Sequence, residues 1–150
     1  KILFERMKLE PRSRIPGLKR TVGEELLVPT RIYVKTILDL VADFPIHGIA
    51  HITGGGFVDN LPRVFPRGCK AIIQKGTWTI PPIFRILQEA GQIEEKEMFR
   101  TFNNGIGMVL VVPLQEVEKI LDRLLSLHER VYWIGEIARA TGKEEPVQIQ

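Results

Sequence analysis

The chain holds one cysteine, Cys69, so no disulfide can close within it and a reducing compartment is expected. Cys69 opens the run Cys69-Lys70-Ala71-Ile72-Ile73, surroundings that suit a small packed side chain rather than a nucleophile. No apolar run approaches the ~18 residues of a membrane span. The longest, Ile106 to Val112, is the size of a strand. Internal repeats and low-complexity segments are absent. So are GxxxxGK[ST] and GxGxxG, which removes the nucleotide P-loop and the dinucleotide fingerprint. No Ser-His-Asp order and no carboxylate pair stands out. The chain starts at Lys1 rather than Met with nothing resembling a signal peptide, which is expected of a processed chain or a piece of a longer one.

A basic body is also missing. The net charge is +3, but residues 1–20 alone carry seven basic and two acidic side chains, and the remaining 130 are net −2. Trp78, Trp133, Tyr33 and Tyr132 are not interleaved with Lys or Arg, so neither an electrostatic footprint nor a stacking platform for nucleic acid is present. What remains is ordinary: 150 residues, 44% hydrophobic and 26% charged, enough for one domain with a real core.

Hydrophobic periodicity alternates between strand and helix. Lys1 to Met7 reads as the last turns of an amphipathic helix, and Pro11 to Val22 as an exposed connector. Thr30 is a plausible N-cap for a helix with the stripe Tyr33, Ile37, Leu38, Val41 and Phe44, stopped by Pro45. Strands are expected at Gly48–Ile52, Lys70–Gln74, Gly105–Val112 and Val131–Ala138, with a short edge strand at Val147–Ile149. Pro81-Pro82 opens a helix closed by Gly91, a short helix follows Glu94, and Leu114 to Leu125 is the clearest amphipathic helix. The expected class is α+β (α/β), a mixed sheet covered by helices.

The chain is organised around His51-Ile52-Thr53-Gly54-Gly55-Gly56-Phe57, with Asn60 and Arg63 following. The order is strand, glycine turn, short helix. Glycines leave backbone N–H groups unobstructed, and a helix N-terminus aimed at the same point favours an anion, most often a phosphate. A tight turn without a ligand satisfies the same pattern. Asn60 and Arg63 are three apart on roughly one helix face. Arg100, Thr101 and Asn103 cluster before Gly105-Ile106-Gly107, as surface polar groups or as part of an anion-lined cleft. His47 and His51 have a helical zinc spacing, but on a strand they stand ~13 Å apart, too far for one metal. His51 either satisfies a neighbouring carbonyl or faces a ligand at the turn.

Several blocks resemble one family in order along the chain. Leu26-Leu27-Val28-Pro29-Thr30-Arg31-Ile32-Tyr33-Val34-Lys35, Ile49 to Phe57, Asn60-Leu61-Pro62-Arg63, Glu97 to Met108 and Tyr132 to Ile137 are similar to the second domain of the phosphoribosylformylglycinamidine cyclo-ligase (aminoimidazole ribonucleotide synthetase) family. The Arg12-Ser13-Arg14 region is only loosely similar. The resemblance implies a three-layer α/β/α domain, partly ferredoxin-like, with residues 1–22 as a truncated helix and interdomain arm and 23–150 as the substrate-binding domain. It also implies a cytoplasmic homodimer in purine biosynthesis whose ATP and Mg²⁺ are held mainly by an N-terminal domain not in this chain. The family reaction activates the formyl oxygen of formylglycinamidine ribonucleotide with ATP, and an internal nitrogen then closes the imidazole ring. By this resemblance His51 stands near the reacting groups as the catalytic candidate. Thr53, Gly54, Gly55 and Gly56 cradle the substrate phosphate, with Asn60, Arg63, Arg100 and Asn103 lining the cleft, and no metal ligand is assigned here. A stand-alone phosphate-binding module, or the matching domain of a selenophosphate synthetase-like enzyme, is the competing reading.

Overall fold

The computed structural model describes residues 1–150. A short π-helical turn, Ile2–Arg6, precedes a loop that folds back on itself. Six α-helices follow: α1 (Val22–Leu26), α2 (Val34–Asp43), α3 (Gly56–Asn60), α4 (Pro82–Gly91), α5 (Glu95–Thr101) and α6 (Val117–Ser126). They are interleaved with five strands: β1 (Gly48–His51), β2 (Cys69–Ile73), β3 (Met108–Val111), β4 (Gly135–Arg139) and β5 (Val147–Ile149).

Two sheets form where one was expected. β1 and β3 pair antiparallel, with His51 opposite Met108 and Gly48 opposite Val111. The second sheet is mixed, in the order β4-β2-β5, with β4 antiparallel and β5 parallel to β2. The strand expected from Val131 begins only at Gly135, where the backbone approaches β2 so closely that any Cβ would strike the Ile72 carbonyl. Ahead of it, the Trp133 indole N–H donates to the Gly135 carbonyl at 2.9 Å and folds the segment on itself. Residues 131–134 therefore join β3 in lining an apolar cavity of about 600 Å³ between the sheets.

The main core is built on Phe57, Trp78 and Phe99, whose ring centroids lie 5.8–6.3 Å apart. Ile52, Leu61, Ala71 and Ile73 complete it, so both sheets and α3 share one buried centre. Fully burying an aromatic such as Phe57 contributes about 1.5–3 kcal/mol, and this anchors α3 behind the glycine turn.

The connector expected between Pro11 and Val22 is not simply exposed. Ile15 and Val22 are buried with Leu3 against Ile83, Ile86 and Leu87 of α4. A bridge between Arg14 and Thr21 closes the loop. Thr21 then caps α1 in a capping box: it accepts from the Glu24 amide, and Glu24 accepts from the Thr21 amide at 2.8 Å.

Helix α2 also differs from expectation. It starts after Tyr33 rather than after Thr30, and its inward residue is Leu40, fully buried with Ile120 and Leu124 of α6. Leu38 and Val41 point outward, 65% and 47% exposed. The helix is apolar on two faces; Leu40 meets α6, and the Arg123 guanidinium pairs with both Asp39 and Asp43 at the rim of that contact. At the end of α4 the left-handed residue is Gln92 (φ 50°), not Gly91.

Two measurements check this packing. Leu40→Ala should cost about 2–5 kcal/mol in urea unfolding and Leu38→Ala no more than about 0.5 kcal/mol; equal costs would mean that the other face of α2 is buried. The capping hydrogen bonds from Thr21 hold the Glu24 carboxyl below its ordinary 4.5, with Arg14 and Arg20 assisting. A depressed folded pKa stabilises above that ordinary value and is lost as pH falls through the folded one. The Tm deficit of Glu24→Gln should therefore be present at neutral pH and shrink as the pH falls below 4.5 and through the folded value. A deficit that does not change with pH would show that the capping box contributes nothing.

Candidate functional site

The strand–turn–helix order is present: β1 ends at His51, and α3 begins at Gly56. The turn is held from beneath by Asn60. Its side-chain amide donates to the carbonyl oxygens of Gly56 at 2.8 Å, Gly54 at 3.2 Å and Thr53 at 3.5 Å. Asn60 is only 5% exposed, so this amide belongs to the interior of the turn and not to the lining of an open cleft, as the sequence suggested. With its carbonyls committed, the turn presents donors: the N–H groups of Thr53, Gly54 and Gly55 have no backbone acceptor. Three consecutive unpaired N–H groups on an exposed turn suit an oxyanion.

The three glycines play different parts. Gly55 and Gly56 have left-handed φ of 94° and 53°. A Cβ on Gly56 would collide with the Phe99 carbonyl, and one on Gly55 would come within 2.7 Å of Asp59 Cβ. Gly54 has neither constraint, with nothing within 4 Å of a built Cβ. It is the one place where a side chain can obstruct a ligand without deforming the turn.

The helix dipole expected to favour an anion is weak here. α3 has five residues and passes into a 3₁₀ turn, Leu61–Arg63, at Pro62, so few peptide dipoles align. The carbonyl end of α5 is pressed against Gly56, which opposes the dipole further. Donation from unpaired N–H groups is what remains. The Asp59 carboxylate beside Gly55 adds negative charge at one rim of the turn, a residue that the sequence reading passed over.

Of the other expected residues, His51 is exposed at the end of β1 and meets the Tyr33 ring edge-on, centroids 5.9 Å apart. Arg100 is exposed on the last turn of α5, between Phe99 and Phe102, whose carbonyls face Gly56. Asn103 accepts from the Gly105 N–H at 3.0 Å and shapes the loop into β3. Beside it Asn104, 2% exposed, donates to the Met98 carbonyl at 3.2 Å, and its own carbonyl accepts from the Trp78 indole at 2.9 Å. Arg63 is exposed and makes no ion pair. The structure thus gathers Thr53 to Gly56 with Asn60 and sets His51 two residues ahead of the turn. No group of three His, Cys, Asp or Glu side chains converges in a way that could hold a metal ion. Tyr33 and Gly107 carry no local signal beyond their membership of the quoted blocks.

Residues 3–147 match the family described as AIR synthase related protein, C-terminal domain. The chain belongs to this family. Among curated relatives, it is 56% identical over 149 residues to the phosphoribosylformylglycinamidine cyclo-ligase of Geotalea uraniireducens (strain Rf4), covering 99% of this chain and 43% of that protein. It is 57% identical to the enzyme of that name from Geotalea daltonii over the same shares of the two chains. It is 58% identical over 146 residues to that of Syntrophotalea carbinolica, covering 97% of this chain and 42% of the relative. The chain therefore spans well under half the length of these relatives. The matched span includes most of the π turn and the folded-back loop, which pack on α4.

Substitutions separate the two kinds of glycine. Gly56→Ala should destabilise the domain by at least about 2 kcal/mol, since a left-handed φ and a backbone collision coincide there. Gly54→Ala should cost less than about 1 kcal/mol. Chemical unfolding of both variants decides it: equal costs would contradict the packing of Gly56 on α5.

Proposed function

We propose that this chain is the C-terminal, substrate-binding domain of a phosphoribosylformylglycinamidine cyclo-ligase, working in the cytoplasm as part of a homodimer. The observation that carries the reading is the row of unpaired N–H groups at Thr53, Gly54 and Gly55, held outward by Asn60. Formylglycinamidine ribonucleotide ends in a 5′-phosphate, the kind of anion such a turn takes. The names of the relatives support the substrate, and the 43% coverage supports an enzyme completed by an upstream half. In this reading residues 23–150 form the substrate-binding domain, and residues 1–22 lead to it from that half. In the same reading the sheets and helices of the domain belong to a three-layer α/β/α, partly ferredoxin-like arrangement.

ATP, with Mg²⁺, supplies the activation of the formyl oxygen and falls to the upstream half. The residues of this chain bind and orient. The glycine turn fixes the phosphate end, and His51, joined to the turn through Ile52, faces the acyclic part that closes into a ring. Arg100 adds a cation with no acidic partner in the chain, and Asn103 sets the loop beside it. Asp59 disfavours a bare phosphate at one rim, so the phosphate sits toward Thr53 and Gly54. Gly55→Val is a poor probe because its φ and Asp59 already exclude a branched side chain. Gly54→Val is the sound one.

The test joins this chain to the upstream half of the Geotalea uraniireducens relative and follows ADP release dependent on formylglycinamidine ribonucleotide. The joined protein should turn over at ~1 s⁻¹ or more, and the 150 residues alone should not. Gly54→Val in the joined protein should weaken substrate binding by about 1.5–3 kcal/mol, roughly tenfold or more. A joined, folded protein without substrate-dependent turnover would overturn the reading. Full binding by Gly54→Val would move the phosphate elsewhere.

A further inference from the structure

Thr30 to Lys35 carries much of the family likeness yet contributes nothing to the glycine turn itself. Tyr33 reaches it from outside. Just ahead of α2, its ring packs on His51 with an interplanar angle of 67°. Its hydroxyl rests over the backbone of Gly107, at a point where any Cβ would strike the oxygen. The Gly107 carbonyl accepts at 2.9 Å from the N–H of Ile52, the residue that joins His51 to Thr53. The phenol is thus pinned by an imidazole on one side and the bare backbone of Gly107 on the other, next to the strand end that leads into the turn.

Nothing in the chain uses this hydroxyl as a donor. Burial pushes the phenol above its ordinary value of 10; the Arg31 cation opposes the shift and the Glu129 carboxylate adds to it. At neutral pH Tyr33 is a neutral, protonated donor. Arg31 is itself held by Glu129 at 2.7 Å, so the cation nearest the phenol is already paired. A neutral donor beside an imidazole suits an uncharged oxygen, an amide or formyl carbonyl, better than a phosphate.

We propose that Tyr33 is a substrate-contacting residue whose hydroxyl donates to the uncharged formyl or amide oxygen of a ligand anchored by its phosphate on Thr53 to Gly55, with Gly107 as the residue that leaves room for it. The inference rests on the cyclo-ligase reading and adds a second, non-phosphate contact to the same site. Two handles separate hydroxyl chemistry from packing. Tyr33→Phe keeps the ring against His51 and removes only the oxygen. Gly107→Ala keeps the oxygen and displaces it.

The experiment uses the joined protein with ¹³Cζ-labelled tyrosine, the Tyr33 resonance being the one missing from Tyr33→Phe. Titration with formylglycinamidine ribonucleotide should shift this resonance. Tyr33→Phe and Gly107→Ala should each bind the substrate about tenfold more weakly, the loss of roughly one hydrogen bond, while melting like the parent. Binding and turnover by the parent with a stationary Tyr33 resonance, or with Tyr33→Phe as good as the parent, would overturn the inference and leave the cyclo-ligase reading intact. Failure of the parent to bind this ribonucleotide at all would overturn both.

Discussion

The side-chain amide of Asn60 holds the carbonyl oxygens of Gly56 and Gly54 at 2.8 and 3.2 Å, and the character of the site follows from that clasp. A buried amide needs hydrogen-bond partners, and here they are the inward carbonyls of the turn. With those oxygens spent inside, the N–H groups of Thr53, Gly54 and Gly55 are left for whatever comes from outside. The same clasp fixes the left-handed glycines, since Gly56 can meet the carbonyl end of α5 only without a side chain. The anion site is therefore a product of backbone orientation and owes little to a helix dipole.

The rest of the core keeps that turn in place. Phe57 sits directly behind it, packed between Trp78 and Phe99, and the Trp78 indole is tied to the Asn104 carbonyl before β3. β3 then returns alongside β1 and brings Gly107 beneath the Tyr33 hydroxyl. The outer surface is less finished. Ile32, Val34, Leu38 and Val41 remain exposed along α2 and its approach, and an apolar cavity is lined by β3, α6 and the approach to β4. In the reading proposed above, the upstream half of the enzyme gives these surfaces their context.

Where a segment is apolar on one face only, its sequence was enough. The strand at Gly48, the helices after Pro82 and Leu114, and the edge strand at Val147 follow from spacing and from Pro and Gly punctuation. Helix α2 is apolar on two faces, so periodicity could not choose between Leu38 and Leu40; the apolar face of α6, remote in sequence, receives Leu40. Thr30 has the chemistry of an N-cap, but tertiary contacts win there. Arg31 and Thr36 both engage Glu129, and Tyr33 is drawn to His51, so the helix starts late. The loop from Pro11 looked like a linker because its polar residues are many; the two that matter, Ile15 and Val22, are few and buried. The glycine turn was legible as a turn. The orientation of Asn60, the occlusion of Gly56 and the reach of Tyr33 depend on partners remote in sequence and leave no local trace.

The central claim is that the backbone of this turn receives a phosphate, and the amide resonances of Thr53, Gly54 and Gly55 report on it directly. They should be followed by ¹H–¹⁵N correlation spectra as the joined protein is titrated with formylglycinamidine ribonucleotide and, separately, with the same molecule lacking its 5′-phosphate. The account predicts large downfield shifts of these three amides with the phosphorylated ligand and little change with the other. Binding of the ribonucleotide that leaves the three amides unmoved, or moves them equally with and without the phosphate, would contradict it.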